Sequence, residues 1–184
     1  SDSMPVAESR KVIAVGRLSI EKGFDYLFQA WAMVSSKYPD WSLEIYGYGY
    51  GREEYYNELI QKNGVEESVK ICAPVKDIRN KYLDSAFYVM SSRYEGFPLT
   101  LGEAMSCGLP CVSYNCNCGP SEIIRHSEDG ILVDEVGDIK GLSDAMLYLI
   151  EHPKKRVEMG EKAKENIKRF SIDHVMKKWE DILR

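Results

Sequence analysis

The chain has 184 residues, 44% of them hydrophobic and 29% charged, and carries a formal net charge of −5. That length suits one domain with its own core, and the composition is typical of a soluble globular protein and argues against global disorder. The acidic balance argues against a protein that holds nucleic acid on a broad basic face, so no nucleic-acid partner is expected. A local basic site for an anionic ligand is compatible with it.

The five cysteines are odd in number and irregular in spacing, and they contain no Cys-x-x-Cys pair. This usage indicates reduced thiols in a reducing compartment, and the ligand spacing does not favour a zinc site. The sequence shows no signal peptide and no apolar run of membrane-spanning length, so we expect a cytoplasmic protein. Residues 1–10 are interpreted as a linker or cloning remnant, ahead of a domain over 11–170.

Short apolar runs alternate with amphipathic segments along the chain. Strands are predicted over 11–17, 41–47, 68–74, 86–92, 110–114 and 131–134. Helices are predicted over 22–38, 52–64, 77–85, 99–108 and 121–130. From Ile139 onward the pattern is helical, with breaks at Pro153 and near Phe170.

The predicted strands are apolar throughout and do not alternate with polar residues, as expected when both faces of a sheet are covered. Regular alternation of strand and helix then predicts an α/β fold: a doubly wound, mostly parallel, Rossmann-like sheet with helices on both faces and extra C-terminal helices. Sheets of this kind bind ligands at the carboxyl ends of their strands.

Three glycines, Gly47, Gly49 and Gly51, follow the second predicted strand. Their spacing differs from the dinucleotide fingerprint, in which the third glycine comes three residues after the second. The motif therefore indicates a turn that leads into the helix near Arg52, or a loop that lines a ligand cleft.

The loop "GRLSIEKG", from Gly16 to Gly23, follows the first strand and carries two cations, Arg17 and Lys22. A guanidinium offers a rigid fork of donors and an ammonium a compact charge, a pair suited to a diphosphate. Taken alone, the loop is better explained by solvated surface cations that pair with Glu21 or with nothing, because such cations are common.

The stretch "RYEGFPLTLGE" follows the fourth strand and places Glu95 and Glu103 on either side of a predicted helix start. Pro98 suits the first helical position, and the free amides of the first turn, including those of Leu99 and Thr100, are expected to face the cleft and to bind an anion. A carboxylate suits a vicinal diol. The layout fits a ligand with hydroxyls on both sides of a phosphate, as in a nucleotide sugar.

Taken together, these motifs resemble the retaining glycosyltransferases of the two-Rossmann-domain (GT-B) architecture, in the family called glycosyltransferase group one. The stretches "AMSCGLPCVSY" and "GPSEIIRHSEDGILV" resemble the segments that follow in that family. The resemblance covers roughly residues 11–155 and corresponds to the carboxy-terminal, donor-binding half of family members.

The resemblance implies a role for each site residue. Arg17 and Lys22 would hold the donor diphosphate and stabilise it as it leaves, Glu95 would contact the donor sugar, and Glu103 would hold the ribose. The base would lie near Val75, where this chain has Pro74 and the family more often has a glycine. The resemblance implies a catalytic set of Arg17, Lys22 and Glu95 and a donor-binding set of Gly16, Arg17, Lys22, Val75, Glu95, Gly96, Phe97, Pro98, Leu99, Thr100 and Glu103.

The implied reaction moves a sugar from a nucleoside diphosphate sugar, most simply a UDP-sugar, to an acceptor hydroxyl with retention, and needs no metal and no cofactor. Surface polysaccharide or glycolipid synthesis is the expected setting. The alternative is a non-catalytic nucleotide-sugar-binding module or a related GT-B epimerase. The implied partners are the donor and the amino-terminal acceptor domain of the same protein, and peripheral membrane association of the full-length protein stays open.

A final helix is predicted over 171–184, with one apolar stripe that includes Ile172, Trp179 and Leu183. By the resemblance this helix crosses to the amino-terminal domain. The alternative is that the stripe packs on this domain or on a neighbouring copy.

Overall fold

The computed structural model describes residue 6 and residues 8–171. Six strands form one parallel sheet in the order β3-β2-β1-β4-β5-β6. The strands are β1 (Lys11–Val15), β2 (Ser42–Tyr46), β3 (Val69–Cys72), β4 (Phe87–Met90), β5 (Cys111–Tyr114) and β6 (Gly130–Val133). The helices are α1 (Phe24–Lys37), α2 (Glu53–Lys62), α3 (Arg79–Leu83), α4 (Leu99–Ser106), α5 (Pro120–Ile123), α6 (Ile139–Glu151) and α7 (Pro153–Asn166), and short 3-10 helices span Ile20–Lys22 and Ile167–Phe170.

The sheet separates two layers of helices, which confirms the predicted doubly wound α/β fold. Helices α1, α2 and α6 bury their apolar stripes on one face, where Trp31 and Phe28 are completely enclosed. Helices α3, α4, α5 and α7 cover the other face around Leu101 and Met105. Because both faces are covered, the central strands β1, β4 and β5 are largely apolar, whereas the outer strands β2 and β3 also carry Glu44 and Lys70.

Strand β1 lies in the middle of the sheet, with β2 and β3 on one side and β4, β5 and β6 on the other. The direction in which successive strands are added therefore reverses between β1 and β4. Strand β1 pairs with β2 along its whole length, up to Val15 opposite Tyr46. Its pairing with β4 covers Val12 and Ile13 alone. The two strands therefore part before their carboxyl ends, which opens a crevice at the switch point where ligands of such folds bind.

One predicted helix is much shorter than expected. The sequence indicated a helix over 121–130, but α5 ends at Ile123 because Ile124 is extended. The Asp129 carboxylate accepts a hydrogen bond from the Arg125 amide at 2.8 Å and closes a turn in which Ser127 has a φ of 66°. The side-chain acceptor competes with the helical hydrogen bonds, and the prediction beyond residue 123 is wrong.

In the part of the chain that the structure describes, no helix has both the length and the apolar character needed to span a membrane. The predicted final helix lies outside the described residues.

Candidate active site

The loop after β1 is fitted closely against the loop after β2. The Gly16 amide donates to Tyr46 O at 3.0 Å, and the Leu18 amide donates to Tyr48 O at 2.8 Å. A Cβ at Gly47 would overlap the carbonyl oxygen of Gly16. Gly47 is therefore required by close backbone approach, and these contacts fix the direction in which the Arg17 loop leaves the sheet.

A cavity of about 280 Å³ lies at the carboxyl ends of the first three strands. Gly16 and Arg17 form one wall, and Pro74 and Val75 form the opposite wall. Within the described residues no carboxylate forms an ion pair with the exposed Arg17 guanidinium. Arg17 thus offers its donors beside an apolar slot, where the sequence analysis expected a base and a phosphate.

Lys22 and Glu95 come from loops 73 residues apart and meet in the crevice between β1 and β4. Lys22 Nζ lies 2.6 Å from Glu95 Oε1, and the two side chains are 22% and 10% exposed. Ser92 Oγ donates to the same carboxylate oxygen at 2.5 Å. This ion pair is shielded from water and is therefore stronger than a typical surface pair.

Arg93 joins the same two loops. Its guanidinium bonds both oxygens of Asp25, at 2.9 and 2.7 Å, and donates to Ile20 O at 2.6 Å. Its face covers the Tyr26 ring, 4.0 Å from the centroid. The forked contact to Asp25 is the main reason that the pKa of Arg93 is raised. A bidentate pair with an aromatic cover is among the most geometrically specific contacts a side chain makes.

Helix α4 begins at Leu99, where the helix was predicted to start, and Pro98 occupies the N-cap position and not the first helical position. The Leu99 amide donates to Phe97 O at 2.9 Å, so the prediction that it is free is wrong. The bend at Phe97–Pro98 turns the Leu99 amide back onto the preceding loop. In the described part of the chain no acceptor is found for the Thr100 amide, which keeps one donor at the helix start.

Two buried tyrosines support the outer end of the site. Tyr88 OH lies 2.9 Å from Thr100 Oγ1, and Tyr82 OH donates to Glu103 Oε2 at 3.3 Å. Burial raises the pKa of both phenols, so they stay protonated. Glu103 itself is exposed, and its carboxylate keeps acceptor capacity for a ligand.

The loop before α5 packs against the segment that contains Glu95 and Pro98. Gly119 has a φ of 117°, and a Cβ there would press on the Pro98 ring. Cys116 is buried beside Glu95, and burial, followed by the Glu95 charge, raises the pKa of its thiol. On the other side Phe97 packs edge-on against Phe170, with ring centroids 6.0 Å apart.

The structure therefore brings the predicted residues to one edge of the sheet, in a row from Val75 and Arg17 through Lys22 and Glu95 to the start of α4. Sequence reasoning missed the supporting residues, which are Asp25, Tyr82, Tyr88, Ser92, Arg93 and Cys116. Arg93 opens the stretch that contains Glu95, and Ser92 directly precedes that stretch; this proximity is the one signal that could have found them. Among the described residues no group of three acidic, histidine or cysteine side chains is placed to hold a metal ion.

A model of the family described as glycosyl transferases group 1 matches residues 3–166. The chain belongs to the glycosyltransferase group 1 family. The amylovoran biosynthesis glycosyltransferase AmsD of Erwinia amylovora is 36% identical over 183 residues, which are 99% of this chain and 50% of the relative. An uncharacterised glycosyltransferase of Haemophilus influenzae is 34% identical over 176 residues, which are 96% of this chain and 49% of that protein.

Several solved structures agree with this chain in fold. Staphylococcus aureus TarM, as a mutant in complex with Fondaparinux, alpha-GlcNAc-glycerol and UDP, superposes with a TM-score of 0.89 at 25% identity, covering 98% of this chain and 36% of TarM. Anabaena HepE in complex with UDP gives 0.84 at 25% identity, covering 97% of this chain and 49% of HepE. The C-terminal domain of LpcC from Francisella tularensis gives 0.79 at 25% identity, covering 89% of this chain and 88% of that domain.

The chain spans about half the length of the Erwinia and Haemophilus glycosyltransferases that it matches. It matches a separately solved C-terminal domain over nearly all of that domain's length. These matches confirm the prediction that the chain corresponds to the C-terminal domain of a group one GT-B glycosyltransferase.

Proposed function

We propose that this chain is the donor-binding half of a retaining glycosyltransferase that transfers a sugar from a UDP-sugar to an acceptor hydroxyl, in the cytoplasm and in surface polysaccharide or glycolipid synthesis. The observation that carries the proposal is the convergence of Arg17, Lys22, Glu95 and the α4 start on one crevice, beside a cavity of about 280 Å³. The complexes of TarM and HepE with UDP support the choice of nucleotide.

The proposed donor lies along the row of site residues. The base occupies the cavity against Val75, and Glu103 accepts hydrogen bonds from the ribose hydroxyls. Arg17 and Lys22 hold the diphosphate, together with the unpaired Thr100 amide. When the phosphate binds, the ion pair between Lys22 and Glu95 weakens because Lys22 also contacts the phosphate. The Glu95 oxygen that is released then accepts a hydrogen bond from a sugar hydroxyl.

In the proposed reaction the bond between the anomeric carbon and the diphosphate oxygen breaks, and a bond from that carbon to the acceptor oxygen forms on the same face. The acceptor proton passes to the departing phosphate oxygen. Arg17 and Lys22 stabilise the charge that develops on this phosphate, which is electrostatic catalysis. Glu95 lies beside the developing positive charge on the sugar.

The presence of both cations and both glutamates at one edge favours the transferase over a non-catalytic module. Calorimetric titration of the 184-residue chain with UDP tests donor binding. A screen of nucleoside diphosphate sugars against the full-length protein, with donor hydrolysis as readout, identifies the sugar. The proposal is wrong if no nucleotide binds and Glu103→Ala leaves the full-length activity intact.

A further inference from the structure

Arg93 has no role in the proposed chemistry, yet it is the most heavily bonded side chain near the site. Its guanidinium contacts Asp25, Ile20 O and the Tyr26 ring, and none of these residues lines the cavity beside Arg17 and Val75. The side chain is 24% exposed. Because its fork is engaged with protein atoms, Arg93 is not placed to bind a phosphate.

The contacts of Arg93 instead join the two loops that supply Lys22 and Glu95. The guanidinium holds Ile20, the first residue of the 3-10 turn that ends at Lys22. The Arg93 amide donates to Glu21 O at 2.8 Å, and Ser91 Oγ donates to Lys22 O at 2.8 Å. The backbone of the lysine loop is thereby attached to the segment that leads into Glu95.

The need for such an attachment follows from the strands. β1 and β4 stop pairing at Ile13, so backbone ladder bonds do not set the spacing of the loops beyond that point. Beyond the strands, the separation of Lys22 from Glu95 is fixed by the bond from the Arg93 amide to Glu21 O together with side-chain contacts, of which the Arg93 fork to Asp25 and Ile20 O is the most extensive. An error of about 1 Å in the position of a catalytic group can cost about a hundredfold in rate.

We propose that Arg93, through Asp25, is a positioning residue that sets the distance between the phosphate-binding Lys22 and the sugar-contacting Glu95. This inference rests on the proposed function of those two residues. Lysine cannot replace arginine here, because an ammonium cannot bond both oxygens of Asp25 and Ile20 O in one plane.

The test is a double-mutant cycle on UDP affinity, measured by calorimetry on the 184-residue chain. We expect Arg93→Lys to weaken UDP binding about tenfold, since Lys22 is no longer held in place. In a Lys22→Met background, Arg93→Lys should cause no further loss, because its effect passes through Lys22. Asp25→Asn removes one of the two carboxylate oxygens that the Arg93 guanidinium bonds, and it should reproduce the same pattern of losses. It also keeps the test available if Arg93→Lys does not fold.

The matched control is Lys37→Met, which removes an ion pair of 2.6 Å to Glu151 on the exposed surface. It should leave UDP affinity unchanged. A merely structural role for Arg93 would lower the urea midpoint without changing the UDP dissociation constant of the folded chain. Unchanged affinity in Arg93→Lys, or losses that add fully in the double variant, would overturn the inference. If Lys22→Met alone binds UDP as tightly as the wild type, the proposed function of Lys22 fails first, and the positioning role falls with it.

Discussion

Replacing Gly23 with alanine is the sharpest test of how the lysine loop is held. Gly23 has a φ of 62° and joins the 3-10 turn to α1. For a residue with a Cβ, this left-handed conformation costs about 1–2 kcal/mol of conformational free energy. An added Cβ would also lie 2.1 Å from Ser91 O, more than 1 Å inside the 3.4 Å at which ordinary contact begins. Relieving that overlap costs about 1–3 kcal/mol more.

The expected total for Gly23→Ala is therefore about 2–5 kcal/mol of unfolding free energy, measured by urea denaturation. Gly64→Ala is the matched control, since Gly64 has a φ of 64° but nothing within 4 Å of the added Cβ. It should lose about 1–2 kcal/mol, from the backbone conformation alone. The difference between the two variants isolates the contact with Ser91.

The same substitution should weaken UDP binding, because Ser91 can move only by shifting the segment that carries Glu95. Gly64→Ala, at the distant end of α2, should bind UDP as the wild type does. Equal destabilisation by the two alanines would refute the reasoning, since it would show that the loops are not in tight contact at Gly23.

Three further predictions follow from single side chains. Glu103→Ala should weaken UDP binding about tenfold by calorimetry while the urea midpoint changes little, because the carboxylate is exposed and has one weak bond to Tyr82. Val75→Trp should fill the cavity and abolish UDP binding in the same assay, whereas Val75→Ile should not; equal binding by the two would place the base elsewhere. Burial raises the pKa of the Asp129 carboxyl above its ordinary value of 3.8, so the folded chain holds this proton more tightly than the unfolded chain. That contribution to stability is full below about pH 3.8 and is lost as the pH rises through the folded pKa. The urea midpoint of Asp129→Asn should therefore gain on that of the wild type as the pH rises above about 4, and a difference that does not change with pH would contradict this.

The fold could be predicted because its signal is local. Six short apolar runs separated by amphipathic helices leave few architectures open, and the parallel sheet follows from covering both faces of each strand. The prediction failed where a single side chain redirected the backbone. The Asp129 carboxylate shortens α5, and nothing in the apolar spacing around Ile123 and Ile124 reveals that turn.

The placement of the candidate site residues at one edge of the sheet could be predicted, but their contacts could not. Position after β1 and after β4 was enough to place Lys22 and Glu95 at the same edge of the sheet. Their direct ion pair depends on the parting of those strands and on loop conformation, which no short spacing records. The amide of Leu99 shows the same limit, because the bend at Pro98 decides where it points.

The ion pair of Lys22 and Glu95 has a consequence for how anion binding in the crevice depends on solution conditions. An anion that arrives at Lys22 replaces a carboxylate that is already there, so one ion pair is exchanged for another. Because one ion pair replaces another, the number of paired charges changes little. We therefore expect Lys22 to contribute little to the dependence of anion affinity on ionic strength. Inorganic phosphate has no sugar hydroxyls to offer the displaced Glu95, so it should compete poorly for the crevice even at high concentration.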